Sequence, residues 1–302
     1  MGLTLEITSS VAEIDGGEKV LHDFADACRQ YDFVPSVQLH NTVSEETVRK
    51  IIDCGLPMSA HAPVIGEYSL NLATEKNLDI IFGAFEKNAV FMRKYGIEKS
   101  VFHGFSMCDE LIPRMRNQED YRVALRKSCP PEFLLEDTWL NIDYTYLEEY
   151  KIRKNILKNN LAELRRRFPD LIFCIENDMP IYGYSNMRLS QMTDLEHPVC
   201  IDSGHLFAAS LLFDFDFFEE LECGLQNLEV KMVHLHNSLM TAKTPKTQIG
   251  DGHQRLVVPS EMDWQRALKL FLKYNVDDFV LEIGSANAED VHAFAAAVND
   301  VR

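Results

Sequence analysis

Short apolar runs rich in β-branched residues alternate with longer amphipathic runs along the whole chain. The short runs predict strands, and the longer runs, with apolar residues three and four positions apart, predict helices. The eight predicted strands are LTLEITS (3–9), PSVQLH (35–40), MSAHAPV (58–64), SVFHGF (100–105), LIFCIEN (171–177), PVCIDSGH (198–205), VKMVHLHN (230–237) and DFVLEIG (278–284). Eight strand-then-helix units predict an α/β fold, the (β/α)8 TIM barrel. An open doubly wound sheet is the alternative, and the lack of a GxGxxG motif after the first strand weakens it.

One stretch, residues 106–141, interrupts this alternation, because it contains Pro113 and the Pro130-Pro131 pair and no clear strand. It follows the fourth predicted strand, so we expect an inserted loop or small subdomain over the barrel mouth. Insertions of this kind often shape a substrate pocket or cover it. The alternatives are a surface loop without a role at the site and a contact between subunits of an oligomer. We find no internal repeat or linker, so residues 1–302 are predicted to form one domain.

Composition narrows the choice of partners. The chain has 30 basic and 47 acidic residues, a formal net charge of −17, which argues against a general affinity for nucleic-acid backbones or anionic lipids. No apolar run is long enough to cross a membrane, and the opening residues lack signal-peptide features. The seven cysteines form no CxxC pair. We therefore expect a soluble cytoplasmic protein without a membrane partner.

Histidines and carboxylates concentrate at the C-terminal ends of the predicted strands, which meet at one mouth in a TIM barrel. A single such residue usually only hydrogen-bonds a loop, but several acids buried together need a compensating cation. Nitrogen and oxygen donors without thiolates favour Zn, Mn, Fe or Co. The candidate metal ligands are His61, His103, Glu176, Asp202, His205, His234, Asp251, His253 and Glu282.

Seven segments resemble, in order, the signature segments of the xylose isomerase-like TIM-barrel superfamily: SAHAPVIGEYSLNLA, VFHGF, FCIEN, CIDSGH, VHLHN, GDGH and LEI. The superfamily includes endonuclease IV and sugar isomerases and epimerases. The resemblance implies the barrel fold, and it matches the nine candidate ligands to the trinuclear set of endonuclease IV. The ligand set of the isomerases and epimerases resembles a smaller version of this one. It holds a single metal, at the positions of Glu176, Asp202, His234 and Glu282. One to three divalent ions, Zn or Mn, are therefore expected.

Two further histidines are predicted to form hydrogen bonds near the site and are not counted among the candidate ligands. His236 lies two residues beyond His234, so it shares the same strand face and is predicted to orient a metal ligand. His40 ends the second predicted strand and is predicted to hydrogen-bond there.

The first functional hypothesis is isomerisation or epimerisation of a small polyhydroxy or phosphorylated carbohydrate. Glu176 and Glu282 would remove and return a proton on opposite sides of the substrate, and His205 would hydrogen-bond a substrate oxygen. Related sugar-phosphate isomerases have Pro-Gly-x-Gly where this chain reads Val-Pro-Ser-Glu (258–261), so the substrate class stays open.

The alternative is phosphodiester hydrolysis at abasic DNA with three zinc ions, as in endonuclease IV, with Glu176 bridging two of them. The full ligand set favours it. Two departures oppose it: only Gly183 stands in the loop after Glu176-Asn177, where endonuclease IV is glycine-rich, and extra residues (64–68) follow His61. DNA is a partner only under this hypothesis. A third hypothesis, a non-catalytic metal-binding barrel, is disfavoured because both glutamates are present, and a homo-oligomer stays open.

Overall fold

Eight parallel strands close into a barrel in the computed structural model, which describes residues 2–40, 43–114, 120, 122–123, 126–127, 131–135, 139–140, 143, 145–179 and 185–300. Their order around the barrel is β1-β8-β7-β6-β5-β4-β3-β2. The strands are β1 Thr4–Thr8, β2 Val34–Leu39, β3 Met58–Ala62, β4 Lys99–Phe102, β5 Ile172–Glu176, β6 Val199–Asp202, β7 Val230–Leu235 and β8 Asp278–Leu281. The predicted TIM barrel is confirmed.

Helices follow the strands and cover the outside of the barrel. They are α1 Ser10–Glu13, α2 Gly17–Gln30, α3 Glu45–Asp53, α4 Leu78–Tyr95, α5 Glu148–Arg167, α6 Ser203–Phe213, α7 Phe217–Asn227, α8 Trp264–Lys273 and α9 Ala288–Asn299. Within the described ranges, every helix is too short or too polar to cross a bilayer.

The two-residue period of the strands divides their side chains between an outer core and the barrel interior. Outward-facing residues such as Leu5 and Ile7 pack in the large core that also holds the helix side chains. Inward-facing residues fill the middle of the barrel: Val101, Cys174, Cys200, Met232 and Val280. Two residues further along β5 and β6 lie Glu176 and Asp202, so these strands raise a carboxylate above an apolar floor.

The sixth strand ends earlier than its apolar pattern predicts. We predicted strand through His205, but β6 ends at Asp202 and α6 begins at Ser203. The Asp202 carboxylate caps this helix, accepting the backbone N–H of His205 at 2.6 Å. His205 is therefore placed by the first turn of a helix, and its predicted position on the strand was wrong.

The insertion begins as an ordered extension of the barrel mouth. Residues 112–114 pair antiparallel with residues 67–69 of the loop after β3, where Ser69 N–H donates to Ile112 O and Arg114 N–H donates to Glu67 O, both at 2.8 Å. A short hairpin follows, Leu134–Leu135 with Trp139–Leu140. The rest of 106–141 lies largely outside the described residues, so its role as a lid or pocket wall stays a prediction.

Candidate metal centre

Side chains from six strand ends and from the loop after β7 meet at the C-terminal mouth of the barrel. Glu176, Asp202 and His234 are fully buried, whereas the His253 side chain is 40% exposed, so the cluster extends from the closed interior to solvent. Nitrogen–oxygen contacts of 3.9 Å or shorter join all nine candidate ligands, His61, His103, Glu176, Asp202, His205, His234, Asp251, His253 and Glu282. The contacts divide them into three groups.

The first group surrounds one oxygen of Glu176. Oε2 of this carboxylate lies 3.3 Å from His61 Nε2 and 3.5 Å from His103 Nδ1. The two imidazole rings have centroids 5.1 Å apart. Strands β3, β4 and β5 are adjacent in the barrel, so this group is assembled by strand order alone.

The second group surrounds His234 Nδ1, which faces three carboxylates. Glu176 Oε1 lies 2.9 Å away, Glu282 Oε2 3.1 Å and Asp202 Oδ2 3.6 Å. The strand register pairs Asp202 with His234 directly. Ligand atoms about 2.0–2.2 Å from a zinc ion in a tetrahedron lie about 3.3–3.6 Å from one another, close to these spacings. Glu176 therefore belongs to the first and second groups, with one oxygen in each.

The third group surrounds Asp251 Oδ2, which lies 2.5 Å from His253 Nε2 and 3.1 Å from His205 Nε2. Both imidazoles donate their Nδ1–H to backbone carbonyls, His205 to Asn177 O at 2.9 Å and His253 to Glu282 O at 2.7 Å. With Nδ1 fixed in this way, each Nε2 faces the shared carboxylate and is the nitrogen that would coordinate a cation there, the arrangement that proteins use to fix metal-binding histidines.

The backbone around His253 is built for this position. Gly252 packs so closely on the strand end that a Cβ there would overlap the backbone oxygen of Asn237. Reciprocal hydrogen bonds of 2.9 Å between Asn237 and Gln254 hold the loop against β7. His253 itself has a φ of +42°, in the sparsely populated left-handed region. The GDGH segment thus keeps a strained backbone at the site.

The cluster also includes residues to which sequence reasoning gave no ligand role. Asp178, which sequence reasoning missed, is fully buried, and its Oδ1 lies 2.7 Å from His103 Nδ1. Its position two residues after Glu176 was the available signal. His40 stacks on His61 with centroids 5.6 Å apart, and its Nε2 lies 3.9 Å from Glu282 Oε1. Residues 180–184, including Gly183, lie outside the described residues.

The carboxylates and imidazoles shift one another's pKa values in opposite directions. Burial raises the pKa of Glu282, but His234 and His253 outweigh it and lower that pKa to about 2. Burial lowers the pKa of His253, but Asp251 outweighs it and raises that pKa to about 10. Burial also lowers the pKa of His234, but the neighbouring Cys200, Glu282 and Glu176 outweigh it and raise that pKa well above the ordinary value. The field of the carboxylates therefore demands positive charge at this mouth.

Unpartnered buried atoms show that the donor set fits a divalent cation. Glu176 Oε2, Asp202 Oδ2, Asp251 Oδ1 and Glu282 Oε2 accept no hydrogen bond from the described residues. In the same part of the chain, no lysine or arginine forms an ion pair with these four carboxylates. The buried Cys200 thiol adds a sulfur donor beside Glu176 and His234, within 4.8 Å of their ligand atoms. The nitrogen and oxygen donors of the set suit Zn or Mn.

No protein-family model matches the chain, and no curated protein matches its sequence. Solved structures do match its architecture. D-psicose 3-epimerase from Clostridium cellulolyticum H10 is 12% identical, with a TM-score of 0.53 over 99% of this chain and 98% of that one. The probable 3-DHS dehydratase AsbF from Bacillus anthracis is 12% identical, with a TM-score of 0.55 over the same shares. An L-ribulose 3-epimerase is 10% identical, with a TM-score of 0.51 over 93% of this chain and 80% of that one. The chain therefore shares its (β/α)8 TIM-barrel fold with these solved structures.

Proposed function

We propose that the chain is a divalent-metal-dependent isomerase or epimerase of a small polyhydroxy or phosphorylated carbohydrate. The observation that carries the proposal is the placement of Glu176 and Glu282. They reach His234 Nδ1 from β5 and from the end of β8, at 2.9 and 3.1 Å. The two strands are separated by β6 and β7, so the carboxylates approach this atom from different sides of the mouth.

Each glutamate has a second oxygen that does not contact His234, and in Glu176 this oxygen faces His61 and His103. Glu176 Oε2 accepts no hydrogen bond from the described residues, and Glu282 Oε1 lies 3.9 Å from His40 Nε2. One carboxylate oxygen can therefore hold the ion while the other exchanges a proton with the carbon beside a substrate carbonyl. One glutamate would remove this proton, and the other would return a proton to the opposite face or to the neighbouring carbon.

An ion on Glu176, Asp202, His234 and Glu282 would chelate adjacent substrate oxygens and stabilise negative charge developing on them. His205 has its Nδ1–H fixed on Asn177 O, so Nε2 is its reactive atom. With a single ion in the second group, this Nε2 would hydrogen-bond a substrate oxygen. With an ion in the third group, it would be a ligand instead.

Exchange of carbon-bound hydrogen with solvent tests the proposal. Metal-loaded protein in ²H₂O would be incubated with a panel of ketoses and ketose phosphates, and proton NMR would follow the signal of the hydrogen beside the carbonyl. We expect exchange with at least one sugar, and a loss of about 10²–10⁴-fold in the Glu176→Gln and Glu282→Gln variants. Glu6→Gln, which changes a buried carboxylate outside the three groups, is the matched control. No exchange with any sugar, or equal exchange in all variants, would contradict the proposal.

Phosphodiester hydrolysis is the second candidate, favoured by the first and third groups. A single-ion isomerase needs only the four residues of the second group, whereas here His61, His103, His205, Asp251 and His253 add further donors. Three ions held by these groups would activate a water molecule as nucleophile and would stabilise the charge of an in-line displacement at phosphorus.

Cleavage of an abasic-site DNA duplex separates the two candidates. Three zinc ions per chain together with strand cleavage would establish the phosphodiesterase and exclude the isomerase. One or two ions, with sugar exchange and no cleavage, would establish the isomerase or epimerase.

A further inference from the structure

His236 lies between carboxylates of two different ligand groups. Its Nε2 is 3.3 Å from Asp202 Oδ1, which belongs to the second group, and 3.3 Å from Asp251 Oδ1, which belongs to the third. The ring is completely buried, and Nε2 makes no full hydrogen bond within the described residues. A buried imidazole nitrogen between two anions is either a metal ligand or a hydrogen-bond donor, and the other ring nitrogen decides which.

The backbone N–H of His253 donates to His236 Nδ1 at 2.9 Å. A backbone amide can only donate, so Nδ1 carries a lone pair and the ring proton resides on Nε2. Asn237 O, 3.3 Å from Nδ1, is the more distant neighbour of this atom and receives no proton from it. His236 is therefore opposite in tautomer to His205 and His253, whose protons are on Nδ1. Its Nε2–H has no lone pair to offer a cation.

The surroundings permit only this ring position. Gly204, in the first turn of α6, packs against the ring so closely that a Cβ would overlap His236 Cε1. On its other side the ring stacks on His253, with centroids 4.5 Å apart and an angle of 27° between the planes. The His253 amide is fixed in turn by the Asn237–Gln254 backbone pair. Helix, strand and loop thus hold one imidazole with its Nε2–H toward Asp202 and Asp251.

We propose that His236 is a positioning residue that joins the second and third groups by sharing its Nε2–H between Asp202 Oδ1 and Asp251 Oδ1. This leaves the other oxygens for ions. Asp202 Oδ2 faces His234 Nδ1 at 3.6 Å, and Asp251 Oδ2 faces His205 Nε2 at 3.1 Å. The inference rests on the proposed metal-dependent function, and it adds that occupation of one group orients a carboxylate of the other.

Three substitutions of His236 distinguish a hydrogen-bond donor from a metal ligand at this position. The amide nitrogen of His236→Gln can occupy the place of Nε2 and donate there, whereas His236→Asn reaches only the place of Nδ1 and His236→Leu donates nothing. We expect about 10–100-fold weaker zinc binding by the third group in the Asn and Leu variants, and near wild-type binding in the Gln variant. Zinc affinities would be measured by competition with a chromogenic chelator, with circular dichroism as the check on folding.

Equal losses in all three variants would overturn the proposal in favour of direct ligation, and unchanged affinities would overturn it outright. Nitrogen-15 NMR of the wild-type zinc-loaded protein tests the same point without a variant. The expected spectrum has His236 protonated on Nε2 and His205 and His253 protonated on Nδ1, and a His236 proton on Nδ1 would contradict the inference. A wild-type chain that binds neither zinc nor manganese would instead refute the proposed function itself.

Discussion

The two ends of the barrel interior handle buried charge in opposite ways. Strand β4 begins at Lys99 and leads to His103, and β8 begins at Asp278 and leads to Glu282. At the N-terminal end, the Lys99 ammonium contacts the Asp278 carboxylate across the barrel. At the mouth, histidines surround the carboxylates, and no described lysine or arginine neutralises them. One end is neutralised by a lysine of the chain, and at the other end we propose that a bound cation neutralises the carboxylates.

The buried carboxyl groups of Glu6 and Glu176 show the same difference in how charge is handled. Glu6 is buried on β1, accepts a hydrogen bond from Ser59 Oγ at 2.5 Å, and burial raises its pKa. Glu176 is equally buried, but the neighbouring imidazoles of His234 and His103 outweigh burial and lower its pKa well below the ordinary value. The first carboxyl is stabilised toward the neutral form, and the second is kept as an anion. Burial alone therefore does not mark a functional acid; its partners do.

We expect the largest effect when Glu176 is replaced by glutamine, and no such effect when Glu6 is replaced in the same way. Glu176→Gln should release metal from the first and second groups and lower turnover by about 10²–10⁴-fold, because its two oxygens serve both groups. Glu6→Gln should retain metal content and turnover. Elemental analysis and steady-state kinetics of both variants check this, and equal metal loss in the two would break the distinction between the barrel ends.

Breaking the Lys99–Asp278 ion pair at the N-terminal end should lower the stability of the fold and leave metal binding unchanged. Lys99→Met leaves Asp278 buried without its cation, and we expect a loss near the lower end of about 3–5 kcal/mol in the free energy of unfolding, because Lys99 is partly exposed. The double variant Lys99→Met/Asp278→Leu should recover most of this loss. Urea unfolding measures both. Metal loss from a folded Lys99→Met protein would argue against separate roles for the two ends.

The smallest of these effects concerns Asp178, which contacts the same His103 nitrogen, Nδ1, that faces Glu176 and which we expect to fix the orientation of the ring. Asp178→Ala removes the oxygen 2.7 Å from His103 Nδ1 and should weaken zinc binding by about 10–100-fold. Asp178→Asn keeps an oxygen acceptor at the same place and should lose less. Chelator competition compares the two variants, and identical affinities in Ala, Asn and wild type would show that His103 is oriented without Asp178.

Sequence pattern predicted those parts of the site that strand periodicity alone determines. His61, Glu176 and His234 lie inward on strands, so their convergence follows from closing the barrel. His205 was predicted at a strand end, because Ser203-Gly204 resembles a loop and the capping by Asp202 is not visible in the apolar pattern.

Other features of the barrel interior depend on long-range contacts that a local sequence pattern does not contain. The Lys99–Asp278 pair spans opposite strands, and residues at strand starts are commonly solvated. Asp178 is held by the backbone of Asn186, eight residues away, through a hydrogen bond of 2.7 Å between their main chains. The tautomer of His236 depends on the amide of His253, which reaches it only through the folded loop.

Elemental analysis would show whether the carboxylates and histidines at the mouth bind divalent ions. It would measure the metal content per chain in protein purified without added metal, and again after incubation with Zn or Mn. We predict one to three bound ions in the wild-type chain, fewer in Glu176→Gln and an unchanged number in Lys99→Met. A folded wild-type chain that holds no ion even after incubation would contradict the account, because its buried carboxylates would then be neutralised by histidines alone.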